Sequence, residues 1–167
     1  MIKNHGRFRS YIVAALASAM LGLAAGPQPA AGAQAPDPLV AMFVWWNAAY
    51  RERDGFTAKA FSRYFTRDAV MRINGKDRCI GVEDLAKHFR DIQARTERVV
   101  IELPFLDEFT SASGDQIFTH HFVLAREHGK ESRERVMGFA DIKHGKISLI
   151  NFVSVPDPPA PGDENKK

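Results

Sequence analysis

The chain has 167 residues, of which 23 are basic and 20 acidic, and 45% of the residues are hydrophobic. The three surplus bases, Lys3, Arg7 and Arg9, lie in the first 33 residues, which contain no acid, so the remaining 134 residues hold 20 of each sign. A neutral chain offers no electrostatic footprint for nucleic acid or an acidic membrane surface, and we expect neither partner. The single cysteine, Cys79, excludes an internal disulfide, and we interpret it as a buried thiol.

The first 33 residues have the pattern of a cleavable export signal. A positive start is followed by an apolar run from Tyr11 to Ala25, which is shorter than the ~20 residues of a membrane span. The small residues Ala31-Gly32-Ala33 suit cleavage after residue 33. We therefore predict a periplasmic or secreted protein without a membrane anchor after cleavage. An uncleaved anchor is the alternative.

The rest of the chain is long enough for one hydrophobic core and too short for two domains. We assign a single domain to residues 38–155. Residues 156–167 are rich in proline and charged side chains, and we predict that they form a disordered tail.

Three helices are predicted before the main strands. Asp37-Pro38 suits a helix start, and apolar residues at helical spacing extend this helix to about Arg53. Thr57 caps a short second helix, and a third begins after Gly81. A short hairpin that turns at Asn74-Gly75 lies between the second and the third helix.

Four long strands are predicted after the third helix, with glycine-containing turns between them. They cover Val99–Phe109, Gln116–Arg126, Arg133–Lys143 and Ile147–Val155. Helices followed by antiparallel strands indicate an α+β domain with the helices packed on one face of a curved sheet.

Three local strings, by their order and spacing, resemble the nuclear transport factor 2-like (NTF2-like) superfamily. They are Tyr64–Val70, Gly81–Leu85 leading to Phe89-Arg90, and the turn His144–Ile147. The resemblance implies a cone-shaped fold, in which a curved antiparallel sheet wraps around three N-terminal helices and encloses a conical cavity. It also implies a homodimer through the outer sheet face. The superfamily includes SnoaL-like polyketide cyclases, ketosteroid isomerase and transport adaptors, so it implies no single chemistry.

The register of the strands predicts which side chains face the cavity. Two-residue turns at His128-Gly129 and His144-Gly145 pair Phe122 with Arg135 and Met137 with Phe152. The face with the bulky aromatics matches the concave face of the family, and a slip of one residue in either turn would reverse the assignment. The predicted concave face holds Phe118, His120, Phe122, Leu124, Arg133, Arg135, Met137, Phe139, Asp141, Ser148, Ile150 and Phe152. The predicted outer face holds Thr119, His121, Val123, Val136, Gly138, Ala140, Leu149, Asn151 and Val153.

The chemistry of ketosteroid isomerase needs a carboxylate base and an acidic hydrogen-bond donor that converge on one carbonyl. The resemblance places Ile73 at the position of the base and Met137 at the position of the donor. Neither side chain can transfer a proton. We therefore do not expect that mechanism here.

His120 is the candidate catalytic residue, as a general acid or base, and Arg135 is the candidate to hold an anionic or carbonyl group. The alternative is that His120 is a core histidine bonded to a neighbour and that Arg135 forms a salt bridge with Asp141 or Glu134. The remaining candidate ligand-binding residues are Phe122, Met137, Phe139, Phe152, Trp46 and Asn47.

Metal and cofactor sites are not expected. His120 and His121 are adjacent in a strand and point to opposite faces, so they cannot bind one metal ion together. The sequence has no spaced cluster of metal ligands, no glycine-rich phosphate loop and no serine-nucleophile elbow.

Three functions are compatible with these patterns. The first is an exported domain that binds a small, mostly apolar ligand in a conical pocket. The second is a cofactor-free SnoaL-like enzyme, a cyclase, isomerase or hydratase, with His120 as acid or base. The third is a dimerising interaction module without a ligand. The sequence leaves open whether the protein is an enzyme.

Overall fold

The computed structural model describes residues 37–157. The predicted export signal and residues 158–167 of the predicted tail lie outside the described residues. Pro156 ends the last strand, and the N–H of Asp157 donates to the Arg133 carbonyl at 2.9 Å. The ordered backbone therefore continues past residue 155.

The domain is α+β, as predicted, with three helices and a curved, unclosed sheet of seven strands. The helices are α1 Pro38–Ala49, α2 Ala58–Phe61 and α3 Val82–Arg95. The strands are β1 Phe65–Ile73, β2 Lys76–Ile80, β3 Arg98–Ile101, β4 Asp107–Thr110, β5 Gln116–Glu127, β6 Lys130–Lys143 and β7 Lys146–Pro156. The order across the sheet is β2-β1-β7-β6-β5-β3, with β4 also paired to β5. All pairs are antiparallel except β1 with β7, which is parallel.

The start of α1 follows the local sequence, whereas its end depends on a tertiary contact. Asp37 Oδ1 accepts from the backbone N–H groups of Leu39 and Val40 at 2.8 and 3.0 Å, as an N-cap does. The helix ends at Ala49 rather than near Arg53. Gly55 packs so closely against this end that a Cβ there would lie 2.1 Å from the Ala49 oxygen. The chain can fold back over the helix terminus because residue 55 has no side chain.

The predicted strand Val99–Phe109 is two strands, and the single-strand prediction is wrong. β3 pairs with the second half of β5, and β4 pairs with its first half. The segment between them contains Pro104, which has no N–H to donate to a ladder. The N–H of Leu106 donates to the His120 carbonyl at 2.8 Å and resumes the pairing with β5.

A β-bulge in the last hairpin changes the register of the sheet. β5 and β6 pair as predicted, with Phe122 opposite Arg135. In β6 and β7, Ile142 lies opposite Ile147 but Asp141 lies opposite Leu149, so Ser148 is an extra residue in β7. Beyond this bulge Phe152 lies opposite Gly138. The predicted pairing of Phe152 with Met137 is therefore wrong by one residue.

The bulge reverses the predicted faces of β5 and β6 relative to β7, because side chains alternate along a strand and a slip of one residue exchanges the faces. Ile150 and Phe152 of β7 lie on the inner face, as predicted. Their partners in β6 are the small residues Ala140 and Gly138 instead of the predicted aromatics. The inner residues of β5 and β6 are Thr119, His121, Val123, Val136, Gly138 and Ala140.

The core lies between the helices and the inner face of the sheet. Its most deeply buried side chains include Leu39 of α1, Phe61 of α2, Leu85 of α3 and Ile147 of β7. Within residues 37–157, no helix is long and apolar enough to cross a membrane.

Candidate functional site

A cavity of about 240 Å³ opens between α1, α3 and the inner face of the sheet. It is larger than the roughly 150 Å³ apolar cavity that accepts benzene. Helices α1 and α3 line it with Met42, Phe43, Trp46, His88, Phe89 and Ile92. The sheet contributes mainly aliphatic and aromatic side chains, among them Met71, Ile73, Val136, Ile150 and Phe152.

His121 is the histidine that the sheet contributes to this cavity. It is 2% exposed, and the rings of Phe43, Phe105 and Phe152 surround it at centroid distances of 5.3 to 5.5 Å. Burial is the main cause that lowers the pKa of His121 to about 4, and the coulombic effect of His120 acts in the same direction. His121 is therefore uncharged at neutral pH. Its Nδ1 lies 3.3 Å from the Thr119 hydroxyl oxygen.

Trp46 presents a buried polar group without a partner. The indole is 4% exposed and packs against Tyr50 and Phe89 with ring centroids 5.4 Å away in both cases. Its Nε1 has no hydrogen-bond partner among the described residues. Buried N–H groups in folded proteins are nearly always bonded, so this unpaired donor is an exception in the core.

The rim of the cavity is more polar than its interior. The Ser154 hydroxyl donates to the Glu134 carboxylate, and the Asn74 side chain bonds both backbone groups of Ser154, at 2.9 and 3.0 Å. These two hydrogen bonds of Asn74 connect the β1–β2 turn to β7 at the rim of the cavity. On the opposite wall, burial is the main cause that lowers the pKa of His88, with Arg95 as the second cause.

Of the predicted site residues, Trp46 and Phe152 line the cavity. Asn47 lies beside it, but both ends of its amide bond the backbone of Ile101: Nδ2 donates to the carbonyl at 2.8 Å, and Oδ1 accepts from the N–H at 2.9 Å. Asn47 therefore joins α1 to β3 rather than facing a ligand. Ile73 lines the cavity, at the position where the resemblance expects a base.

The other predicted site residues lie on the outer face of the sheet, opposite to the prediction, because of the bulge at Ser148. They are His120, Phe122, Arg135, Met137 and Phe139. Phe122 is buried there by two guanidinium groups, with Arg133 3.4 Å and Arg135 4.7 Å from its ring centroid. Met137 is 45% exposed.

His120 is bonded on both sides. Its Nδ1 lies 3.0 Å from Asp107 Oδ2, and its Nε2 lies 3.0 Å from Arg135 Nη1. Arg135 also donates to Asp157 Oδ1 from Nε and Nη2, at 3.1 and 3.0 Å. The bonded histidine and the paired arginine of the alternative are thus present, but His120 lies on the outer face rather than in the core, and the acid is Asp157 instead of Asp141 or Glu134.

His121 is the site residue that the sequence analysis missed. The sequence predicts the outer face for it, because the bulky aromatics of β5 and β6 alternate with His121 and match the concave face of the family. One feature of the sequence indicates the inner face instead: residues 138 and 140 are small and leave room for Phe152 and Ile150 in the neighbouring strand. Within residues 37–157, no group of three or more His, Cys, Asp or Glu side chains could hold a metal ion.

No protein-family model matches the sequence, and no curated protein matches it. Solved structures do match. An NTF2-like protein of unknown function from Exiguobacterium sp. 255-15 has a TM-score of 0.58 at 19% identity, covering 72% of this chain and 98% of the other. A protein with a ketosteroid isomerase-like fold from Catenulispora acidiphila, solved with trimethylamine, has a TM-score of 0.53 at 15% identity, covering 72% and 85%.

IdmH from Streptomyces antibioticus, which is provisionally assigned as a polyketide cyclase, has a TM-score of 0.53 at 13% identity, covering 72% of this chain and 90% of the other. At these identities the matches establish a shared fold and no shared activity.

Proposed function

Because the chain has the NTF2-like fold, with an apolar cavity between its helices and sheet, we propose that it binds a small, uncharged, mostly apolar molecule there. The observation that carries the proposal is the interior of the cavity, where aromatic and aliphatic side chains surround the uncharged His121. A charged ligand would lose its hydration in these surroundings. Glu134 at the rim already accepts from Ser154. The small-molecule complex of the Catenulispora protein supports ligand binding in this fold.

The cavity volume of about 240 Å³ favours a ligand of one or two rings, because an apolar cavity of roughly 150 Å³ already accepts benzene, which has one ring. Saturation-transfer NMR with neutral ketones from acetophenone to 2-acetonaphthone tests this size. Benzoate is the charged match of acetophenone. We expect transfer to a neutral ketone and none to benzoate. Absence of transfer to every neutral ketone would contradict the proposal.

A matched pair of variants assigns any binding to the cavity. Val123 lines the cavity, whereas Val44 of α1 is 56% exposed and is not part of the lining. Val123→Phe fills part of the cavity and should abolish transfer to the ketones, while Val44→Phe adds the same volume outside and should leave it unchanged. Equal effects of the two variants would place binding elsewhere.

A cofactor-free enzyme of the SnoaL-like kind is the second candidate. The presence of a neutral histidine in the cavity favours it, with His121 in the role first given to His120. A general base needs a ring nitrogen with a free lone pair that faces the substrate. The tautomer of His121 therefore separates this candidate from a binding protein.

We also propose a homodimer through the outer sheet face. Phe109, Met137 and Val153 are 62%, 45% and 52% exposed and lie on this face of β4, β6 and β7. The acidic and basic groups of the cluster around Arg135 border this apolar area. A second copy related by a two-fold axis can therefore cover the apolar side chains with its own and pair its acidic groups with the basic ones.

Light scattering after gel filtration should give a dimer for the wild type and a monomer for Met137→Lys. Val44→Lys, which changes an exposed valine of α1, is the control and should remain dimeric. A monomeric wild type would refute this proposal.

Export to the periplasm or the medium is a further proposal, which rests on the pattern of residues 1–33. It predicts that protein recovered outside the cytoplasm begins at Gln34, as N-terminal sequencing would establish. A chain that keeps Met1, recovered from the cytoplasm or the membrane, would contradict it.

A further inference from the structure

Thr119 and His121 form an isolated polar pair in the core. The two residues are spaced by two along β5, so their side chains lie on the same face. They are 3% and 2% exposed. Within residues 37–157, the only hydrogen-bond partner of the Thr119 hydroxyl is His121 Nδ1, and His121 Nε2 has no protein partner. The bond between the two side chains therefore decides which nitrogen of the neutral imidazole carries the proton.

Two arrangements of this bond are possible, and their unpaired donors differ. If Nδ1–H donates to the Thr119 oxygen, the threonine hydroxyl hydrogen is left without an acceptor. Thr119 does not line the cavity, so no ligand can supply one. If the hydroxyl donates to Nδ1, the unpaired donor is Nε2–H of His121, which does line the cavity. A buried unpaired donor costs about 1–3 kcal/mol, and only the second arrangement lets a ligand remove that cost.

Trp46 Nε1–H also has no acceptor among the described residues, but this atom is itself buried and is not a contact for a ligand in the cavity. In the second arrangement, the Nε2–H of His121 is the donor that the ligand meets. A ligand that brings an acceptor atom can pair with it, whereas a ligand whose only polar group is a donor cannot.

We propose that Thr119 holds His121 as its Nε2–H tautomer, so that the cavity selects molecules with an acceptor oxygen, such as a carbonyl or ether. Thr119 is a positioning residue in this proposal, and His121 is a specificity-determining one. The proposal rests on the proposed function, because it concerns the ligand of the same cavity. An Nε2 that already carries a proton cannot remove one from a substrate, so the proposal favours a binding protein over a base catalyst.

The tautomer can be measured without any ligand. A long-range proton–nitrogen correlation spectrum of the imidazoles shows which ring nitrogen carries the proton, and the spectrum of His121→Phe identifies the signals of His121. We expect the proton on Nε2 in the wild type at pH 7. A proton on Nδ1 would overturn the proposal and favour the enzyme instead. This result stands even if the binding experiments find no ligand, so the two failures are distinguishable.

The selectivity is tested with three neutral probes of similar size: acetophenone, α-methylstyrene, which has a methylene in place of the carbonyl oxygen, and indole, which has only a donor. We expect the wild type to bind acetophenone roughly fivefold more tightly than either of the others, as one net hydrogen bond provides. Equal affinity for the three would overturn the proposal.

Two variants of Thr119 distinguish the effect of its hydroxyl on the His121 tautomer from the effect of its packing in the core. Thr119→Val has nearly the same shape but lacks the hydroxyl, so His121 is free to exchange tautomers. Its preference for acetophenone over indole should fall severalfold. Thr119→Ser keeps the hydroxyl and should restore both the preference and the Nε2–H signal. An unchanged preference in folded Thr119→Val would contradict a role for the hydroxyl.

Discussion

Gly138 of β6 lies directly opposite Phe152 of β7, at a distance that leaves no room for a side chain on residue 138. A Cβ there would lie 2.2 Å from the Asn151 oxygen and 2.8 Å from Phe152 Cδ1. Gly138 also has a φ of +152°, which L residues with a side chain rarely adopt. This close approach holds the Phe152 ring against the inner face of the sheet, where it forms part of the cavity wall.

Gly138→Ala should destabilise the protein by about 2–3 kcal/mol, because the new methyl group collides with backbone as well as with the Phe152 ring. Gly145→Ala is the matched control: Gly145 has a φ of +74° but nothing within 4 Å of the added Cβ. It should show the cost of backbone strain alone, about 1 kcal/mol. Urea unfolding measures both, and equal losses would show that the contact with Phe152 is unimportant.

Asn47→Ala should also destabilise the protein by about 2–3 kcal/mol, since it removes two hydrogen bonds and leaves the N–H and carbonyl of Ile101 unpaired. Val44→Ala, at an exposed position of the same helix, should change stability by less than about 0.5 kcal/mol. Thermal or urea unfolding provides the comparison. If Asn47→Ala kept full stability but lost ketone binding, Asn47 would be a ligand contact, as first predicted.

The stability of the fold should fall in mild acid because of His121. Its pKa of about 4 in the folded state lies below the ordinary 6.5, so the unfolded state binds more protons between these values. The uncharged His121 makes its full contribution to the free energy of unfolding above pH 6.5. This contribution is lost as the pH falls towards 4, and the total loss is about 3 kcal/mol.

The contribution of His121 is the difference between wild type and His121→Phe in the pH dependence of the unfolding free energy. The wild type should lose more stability than the variant between pH 7 and pH 4.5. His128→Asn, in an exposed turn at positive φ, should behave like the wild type. Parallel curves for wild type and His121→Phe would mean that His121 is charged or solvated in the folded protein.

Cys79 should be unreactive in the native protein. It is 1% exposed, and burial raises the pKa of its thiol to about 12, with the Asp84 carboxylate as a second cause. Modification by a disulfide reagent at pH 8 should follow the rate of unfolding and become immediate in denaturant. An engineered exposed thiol, Ser113→Cys, gives the rate for an accessible cysteine. Fast native-state reaction of Cys79 would contradict the buried position.

The features that could be predicted from the sequence are those that depend on short stretches of chain. Asp37 and Thr57 cap the helices they were expected to cap, since an N-cap bond spans only a few residues. Asn74-Gly75 and His128-Gly129 form the predicted tight turns, because the first residue of each adopts positive φ and the second is glycine. The register of β5 with β6 follows from the second of these turns.

The end of α1 and the break between β3 and β4 could not be predicted in the same way. Periodicity continues past Ala49, but the helix stops where Gly55 returns against it. The apolar run that begins at Val99 continues through Phe109, but the two strands occupy different halves of β5. Both outcomes depend on residues that meet only in the folded chain.

The sequence by itself determined the fold class, the helix starts, the tight turns and the set of residues that alternate along each strand. Only the tertiary structure decided which of the two alternating sets faces the cavity. Ser148, an extra residue in β7, shifts the pairing of the last two strands by one and brings His121 inside and His120 outside. Alternation along a strand is the same whichever set faces inward, and the contact between Phe152 and the bare backbone of Gly138 is compatible with only one of the two orientations.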